Sequence, residues 1–143
     1  MTESERIGAL LREVCGESVT PPRLGGDGEC YATVPADCLL RVIEALQHEA
    51  LLHHLAAITA LNDGESLSML YHLWLKHGLT LRVSCSRENP VLPSVSGILP
   101  AALWYEREAH DLFGILFEGH PALEPLLASD EWDGPPFLLH KDD

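Results

Sequence analysis

The sequence predicts an α+β protein in which an antiparallel sheet of about four strands carries two helices on one face, followed by a third helix and an extended C-terminal tail. Three observations predict it. Apolar residues alternate with polar ones through two consecutive runs, Ser66 to Lys76 and Leu79 to Ser86. Two earlier segments space their apolar residues at three, four and seven. A third helical segment opens with a proline and closes on a glycine.

Ile7, Leu10, Leu11 and Val14 form one apolar stripe of a first helix, with Glu3, Glu5, Arg6 and Glu13 off it. Gly16 and the run Thr20 to Gly28, rich in glycine and proline, read as a loop. Cys30 to Val34 is a short strand closed by Pro35; Leu39, Leu40, Ile43 and Leu46 then mark a second amphipathic helix starting near Ala36 or Asp37. His53 to Leu61 reads as a strand, and Asn62-Asp63-Gly64 after it is a hairpin signal. In the next strand Leu67, Met69, Tyr71, Leu73 and Leu75 share a face. In the one after it Leu79, Leu81, Val83 and Cys85 do the same. Successive side chains of a strand point to opposite faces, so this period suits a half-buried meander. Arg87 to Gly97 is loop-like, with Pro90 and Pro93. Pro100 suits the first turn of a helix running to Phe113, and Gly114 suits its left-handed terminus. The domain expected from this order covers 1–117. Residues 118–143 form a proline-rich, apolar and acidic tail that needs something to lie against, either its own domain or a partner.

The 143 residues carry 9 Lys and Arg against 22 Asp and Glu, a net charge of −13. Nine scattered cations form no phosphate-binding stripe, which speaks against nucleic acid and against direct docking on anionic lipid. The most apolar stretch, Ala50 to Leu61, is far short of the ~20 residues of a spanning helix. Acidic residues near the N-terminus argue against an export signal. Any membrane association is therefore expected to be indirect. Cys15, Cys30, Cys38 and Cys85 have no close pairing and read as buried small hydrophobes or free thiols.

The densest polar cluster is Glu106 to Asp111, where Glu106 and His110 share a helix face and Arg107 and Asp111 share another. One reading makes Glu106 and His110 an acid/base pair, or metal ligands with His120 as a third. The plainer reading is ion pairing on the helix surface, since no nucleophile or phosphate loop stands nearby. Trp74, on the polar side of its strand, hints weakly at a covered surface.

The stretch Trp104 to Leu123 resembles the thirty-kilodalton (C-type) subunits of NADH-quinone oxidoreductase, or complex I, with their relatives in energy-converting nickel-iron hydrogenases. Trp104, Glu106, Arg107, Glu108, Asp111, Phe113, Gly114, Ile115, Phe117, Gly119, His120, Pro121 and Leu123 match the family pattern, and Trp132 and Gly134-Pro135 continue it. The resemblance implies a subunit with no catalytic residues and no cofactor of its own. Such a subunit packs against the large quinone-site or nickel-iron subunit, near iron–sulfur subunits, on the cytoplasmic face of the cell membrane. It also implies an interface and folding role for the matching residues, and self-association of an isolated chain that lacks its partner would fit. Two departures are visible. Ala122-Leu-Glu-Pro125 stands where the family usually has Asp-Leu-Arg-Arg, and the chain ends on Leu139-His-Lys-Asp-Asp143. The short acidic ending tilts the expectation toward a hydrogenase-type complex, with a free-standing adaptor of the same fold as an alternative.

Overall fold

The computed structural model describes residues 3–16, 23–24, 29–49 and 51–121. In chain order the elements are α1 (Glu3–Cys15), β1 (Arg23–Leu24), β2 (Cys30–Thr33), a single 3-10 turn (Ala36–Cys38) leading into α2 (Leu39–His48), β3 (His54–Asn62), β4 (Ser66–Trp74), β5 (Gly78–Ser86), β6 (Val91–Pro93), α3 (Ala102–Phe113) and β7 (Leu116–Glu118).

The α+β architecture is as the sequence predicts. The main sheet runs β1-β2-β5-β4-β3. β3, β4 and β5 form the expected antiparallel meander, with Tyr71 opposite Ile58 on one side and Leu81 on the other. Asp63 closes the β3–β4 hairpin by accepting the Ser66 N–H at 2.7 Å and the Glu65 N–H at 3.1 Å, and Gly64 takes φ 95° in the turn. Those donors hold the Asp63 carboxyl below its ordinary pKa.

The sheet is mixed rather than purely antiparallel. β2 pairs in parallel with β5, Cys30 opposite Leu79 and Ala32 opposite Leu81. The chain leaves β2 into α2 and returns at the far edge, so β2 is left beside β5 in the same direction. Alternation fixes which face a residue takes, not which strand lies beside it. A second difference lies between Arg87 and Gly97. Val91–Pro93 is a strand there, paired in parallel with β7, and the prolines before it and at its end hide it from a propensity reading.

The alternating apolar residues are inside except for Cys85, which is half-buried: Leu67, Met69, Tyr71, Leu73, Leu75, Leu79, Leu81 and Val83 are buried, together with Ile7 and Leu11 of α1 and Leu39, Val42, Ile43 and Leu46 of α2. α3 covers the same side of the sheet over β3, where Ala109 joins the core near Ile58 and Met69. Among the described residues three helices close one face of the sheet, and no helix lies on the other, where Ser68 and Thr80 are nonetheless buried.

Cys15 and Cys38 are disulfide-bonded, which corrects the free-thiol reading for these two. The end of α1 and the start of α2 bring their Cα atoms to 5.9 Å, within the range a disulfide spans. A separation of 23 residues gives no sign of this in sequence. Cys30 and Cys85 are free, and burial pushes the Cys85 thiol up to about 11.

Candidate functional site

Residues 90–121 build a unit at one end of the sandwich. β6 and β7 align Leu92 with Phe117, both buried. The ladder extends through the Ser94 N–H donating to the Glu118 carbonyl at 2.8 Å and the Leu116 N–H donating to the Pro90 carbonyl at 2.7 Å. α3 sits between the two strands in sequence. Gly114, at φ 80°, ends it while its N–H donates to the His110 carbonyl at 2.9 Å, the left-handed cap that glycine adopts without a Cβ clash.

Glu106 is the centre of this unit and is 0% exposed. Ser94 Oγ donates to Glu106 Oε1 at 2.6 Å and the Val95 N–H donates to Oε2 at 2.8 Å. Ser94 Oγ also lies 2.8 Å from Ser96 Oγ and accepts the Ser96 N–H at 3.2 Å. A carboxylate of the helix therefore satisfies the loop that enters it. Burial raises the Glu106 pKa; the bonds from Ser94 and Val95 and the charge of His120 oppose the rise. The phenol of Tyr71, wholly buried beneath this carboxylate, is itself raised by burial and by Glu106.

Ion pairing on the helix surface is thus corrected for Glu106, which faces the core. Nor are Glu106, His110 and His120 brought together as a ligand set. His110 Nδ1 is 2.9 Å from the Ile115 carbonyl and His120 Nε2 is 3.1 Å from the Leu103 carbonyl. A carbonyl can only accept, so each of these ring nitrogens carries its proton. Among the described residues no group of three or more His, Cys, Asp or Glu is placed to hold one.

The remaining matched residues divide by exposure. Asp111 and Phe117 are buried, and Arg107, Phe113, Gly114 and His120 are half-buried. Trp104, Glu108, Gly119 and Pro121 face outward. Trp104 is 71% exposed and Leu116, in β7, 47%. Leu123, Trp132 and the tail from 122 onward lie outside the described residues. Sequence reasoning missed a cleft of about 490 Å³ on the face of the sheet away from these helices, lined by Arg23, Tyr31, Thr33, His72 and Arg82 among others. There His72 bridges Thr59 Oγ1 and Thr80 Oγ1, each at 3.1 Å. The lining residues come from four strands, and only Trp74 on the same face hinted at them.

Residues 32–142 match the family described as the 30 Kd subunit of respiratory-chain NADH dehydrogenase. The C-type subunit of NADH-quinone oxidoreductase from Moorella thermoacetica is 39% identical over 114 residues, 76% of this chain and 76% of that protein. Its counterpart from Chloroherpeton thalassium is 54% identical over 67 residues, 47% of this chain and 27% of that protein. The C/D-type subunit from Methylococcus capsulatus is 34% identical over 151 residues, 95% of this chain and 25% of that protein. The chain thus spans well under half the length of two of these relatives. Among solved structures, the trypsin-resistant fragment of Nqo5 aligns with TM-score 0.65 at 29% identity, covering 82% of this chain and 99% of that one. A chain of the membrane-bound sulfane sulfur reductase, an archaeal respiratory membrane complex, aligns with TM-score 0.74 at 23% identity over 91% of this chain and 79% of that one, a likeness of fold. Because that family match takes in most of the chain, the α3–β7 unit included, the chain belongs to the family of the 30 kDa subunit of respiratory-chain NADH dehydrogenase.

Proposed function

We propose that this chain is a non-catalytic accessory subunit of a membrane-bound, multi-subunit oxidoreductase of the NADH-quinone oxidoreductase type, held peripherally on the cytoplasmic face. It docks on the large quinone-site subunit through the outer side of α3 and the turn after β7, with iron–sulfur subunits as neighbours, and binds no cofactor. The observation that carries this reading is the division of the family segment into two sides. Glu106, Ala109 and Phe117 fix it from within, while Trp104 and Leu116 are held out toward solvent on a rigid element. A tryptophan so exposed takes no part in the core of the described residues, and aromatic anchors of this kind dominate binding energy at protein interfaces. Among the described residues no helix is long and apolar enough to cross a membrane, which fits peripheral attachment. Rigid placement is useful to such a complex because electron transfer falls steeply with the distance between centres.

The test is affinity purification of the tagged chain from detergent-solubilised membranes, with mass spectrometry of what accompanies it. The large subunit and iron–sulfur subunits are expected in the eluate, and Trp104→Ala is expected to deplete them while the purified variant melts as the parent does. Recovery of the chain without partners at low and high salt would overturn the reading in favour of a free-standing adaptor.

A further inference from the structure

β3 is the last strand of the main sheet, with β4 on one side and no described strand on the other. Its nine residues, His54-Leu-Ala-Ala-Ile-Thr-Ala-Leu-Asn62, include no Lys, Arg, Asp, Glu or Pro. Edges of this length are ordinarily blunted by such residues, because unpaired N–H and C=O groups invite another strand. Here only the beginning is guarded: the register shifts between Leu55 and Ala57, and Tyr105 Oη donates to the intervening Ala56 carbonyl at 3.4 Å. From Ala57 to Leu61 no described strand pairs with the edge. Beside it lies a groove of about 390 Å³ between β3 and α3, lined by Ile58, Ala60, Tyr105, Glu108, Leu112 and Phe113.

An edge strand with a helix set alongside it at groove width is the geometry that accepts an extended segment. The strand supplies main-chain hydrogen bonds and the groove takes alternate side chains. We propose that Ala57–Leu61 and the α3 groove form a strand-accepting site for an extended segment of another polypeptide, one with apolar side chains at alternate positions and a basic residue placed against Glu108. The charge of the site selects the occupant. Glu108 is an exposed acid at the groove, no base among the described residues lines the groove with it, and the chain as a whole carries −13, so acidic segments are repelled and basic ones drawn in. Apolar Ile58, Ala60 and Leu112 set the alternate-residue preference. The inference rests on this geometry alone and does not need the accessory-subunit reading.

The full-length chain, isotope-labelled, is titrated with a synthetic peptide in which valine alternates with lysine. A second peptide is identical but N-methylated at alternate amides, so it cannot pair with a strand edge. The first peptide is expected to shift the amide resonances of residues 57–61 and slow their exchange. The methylated one is expected to bind at least about tenfold more weakly, because main-chain bonds supply the affinity. Leu112→Glu, half-buried in the groove wall, is expected to weaken the first peptide by a similar factor. Glu108→Lys is expected to weaken it and to restore binding to a peptide with glutamate in place of lysine. Equal binding of the two peptides, no binding, or shifts confined to the opposite face near His72 would each overturn the proposal. A dimer of the chain alone with residues 57–61 protected would overturn it too, assigning the edge to a second copy.

Discussion

The α1–α2 side of the molecule and the α3–β7 unit are held by different forces. Beneath α1 and α2 the buried residues are apolar, among them Leu79, Leu81 and Val83 of the sheet and Leu39, Ile43 and Leu46 of α2, with the Cys15–Cys38 disulfide joining the two helices. At the other end the centre of packing is a buried carboxylate, clasped by a serine hydroxyl and a backbone N–H. Aliphatic contact is non-directional and tolerates repacking of similar volume. A buried carboxylate is satisfied in one geometry and costly in any other. The difference places tolerance on the α1–α2 side and fixed geometry at α3 and β7, the segment the proposed docking would use.

Four experiments sharpen or break that contrast. The largest effect is expected from Leu81→Ala, which opens a cavity in the aliphatic core and should cost about 2–5 kcal/mol by denaturant unfolding. That loss should be the same at every pH in the neutral range. Next, Cys15→Ala should cost about 3 kcal/mol, the chain-entropy value for a loop this long, and reduction of the parent should reproduce it. Equality of the parent with and without reductant would show that α1 is held by packing alone.

Glu106→Ala should cost about 2–3 kcal/mol, since it leaves the Val95 N–H and the Ser94 hydroxyl without their acceptor. Unlike the core variant it should release the loop selectively, seen as faster amide exchange at residues 94–96. The pH dependence has a defined sign. Burial raises the Glu106 pKa above its unfolded value, so between those two values the folded state holds the extra proton. Stability therefore falls as pH rises through that window. Glu106→Gln keeps an acceptor for Val95 and an amide that can donate to Ser94 Oγ. It should fold near the parent's stability with this pH slope removed, and a persisting slope would assign it to another group. The smallest effect is expected from Gly114→Ala, about 1 kcal/mol for a side chain forced to positive φ at the helix end. An unchanged melting temperature would mean that the cap does not hold the turn into β7.

How far the fold was legible follows from the kind of signal each element carries. β4 and β5 are legible because Leu67 to Leu75 and Leu79 to Val83 keep strict period two, and each of those apolar residues is buried. α3 is legible from its ends, Pro100 before it and Gly114 after it. β6 is not, because three residues bounded by prolines have no period to read. The matched residues from Trp104 to Pro121 were legible as a set, but their division was not. Glu106 and Glu108 are the same residue type two positions apart, one wholly buried and the other exposed.

By itself the sequence determined the α+β class, the inward faces of β4 and β5, the ends of α3 and the family segment, because these depend on spacing along the chain and on backbone chemistry at single residues. Only the tertiary structure decided that β2 lies parallel to β5, that Cys15 meets Cys38, that Glu106 turns inward to hold Ser94 and Val95, and that β3 is the last described strand of the sheet, beside α3. Each of those is a meeting of residues distant in sequence. Their partners are selected by how the helices lie across the sheet, which local periodicity does not encode.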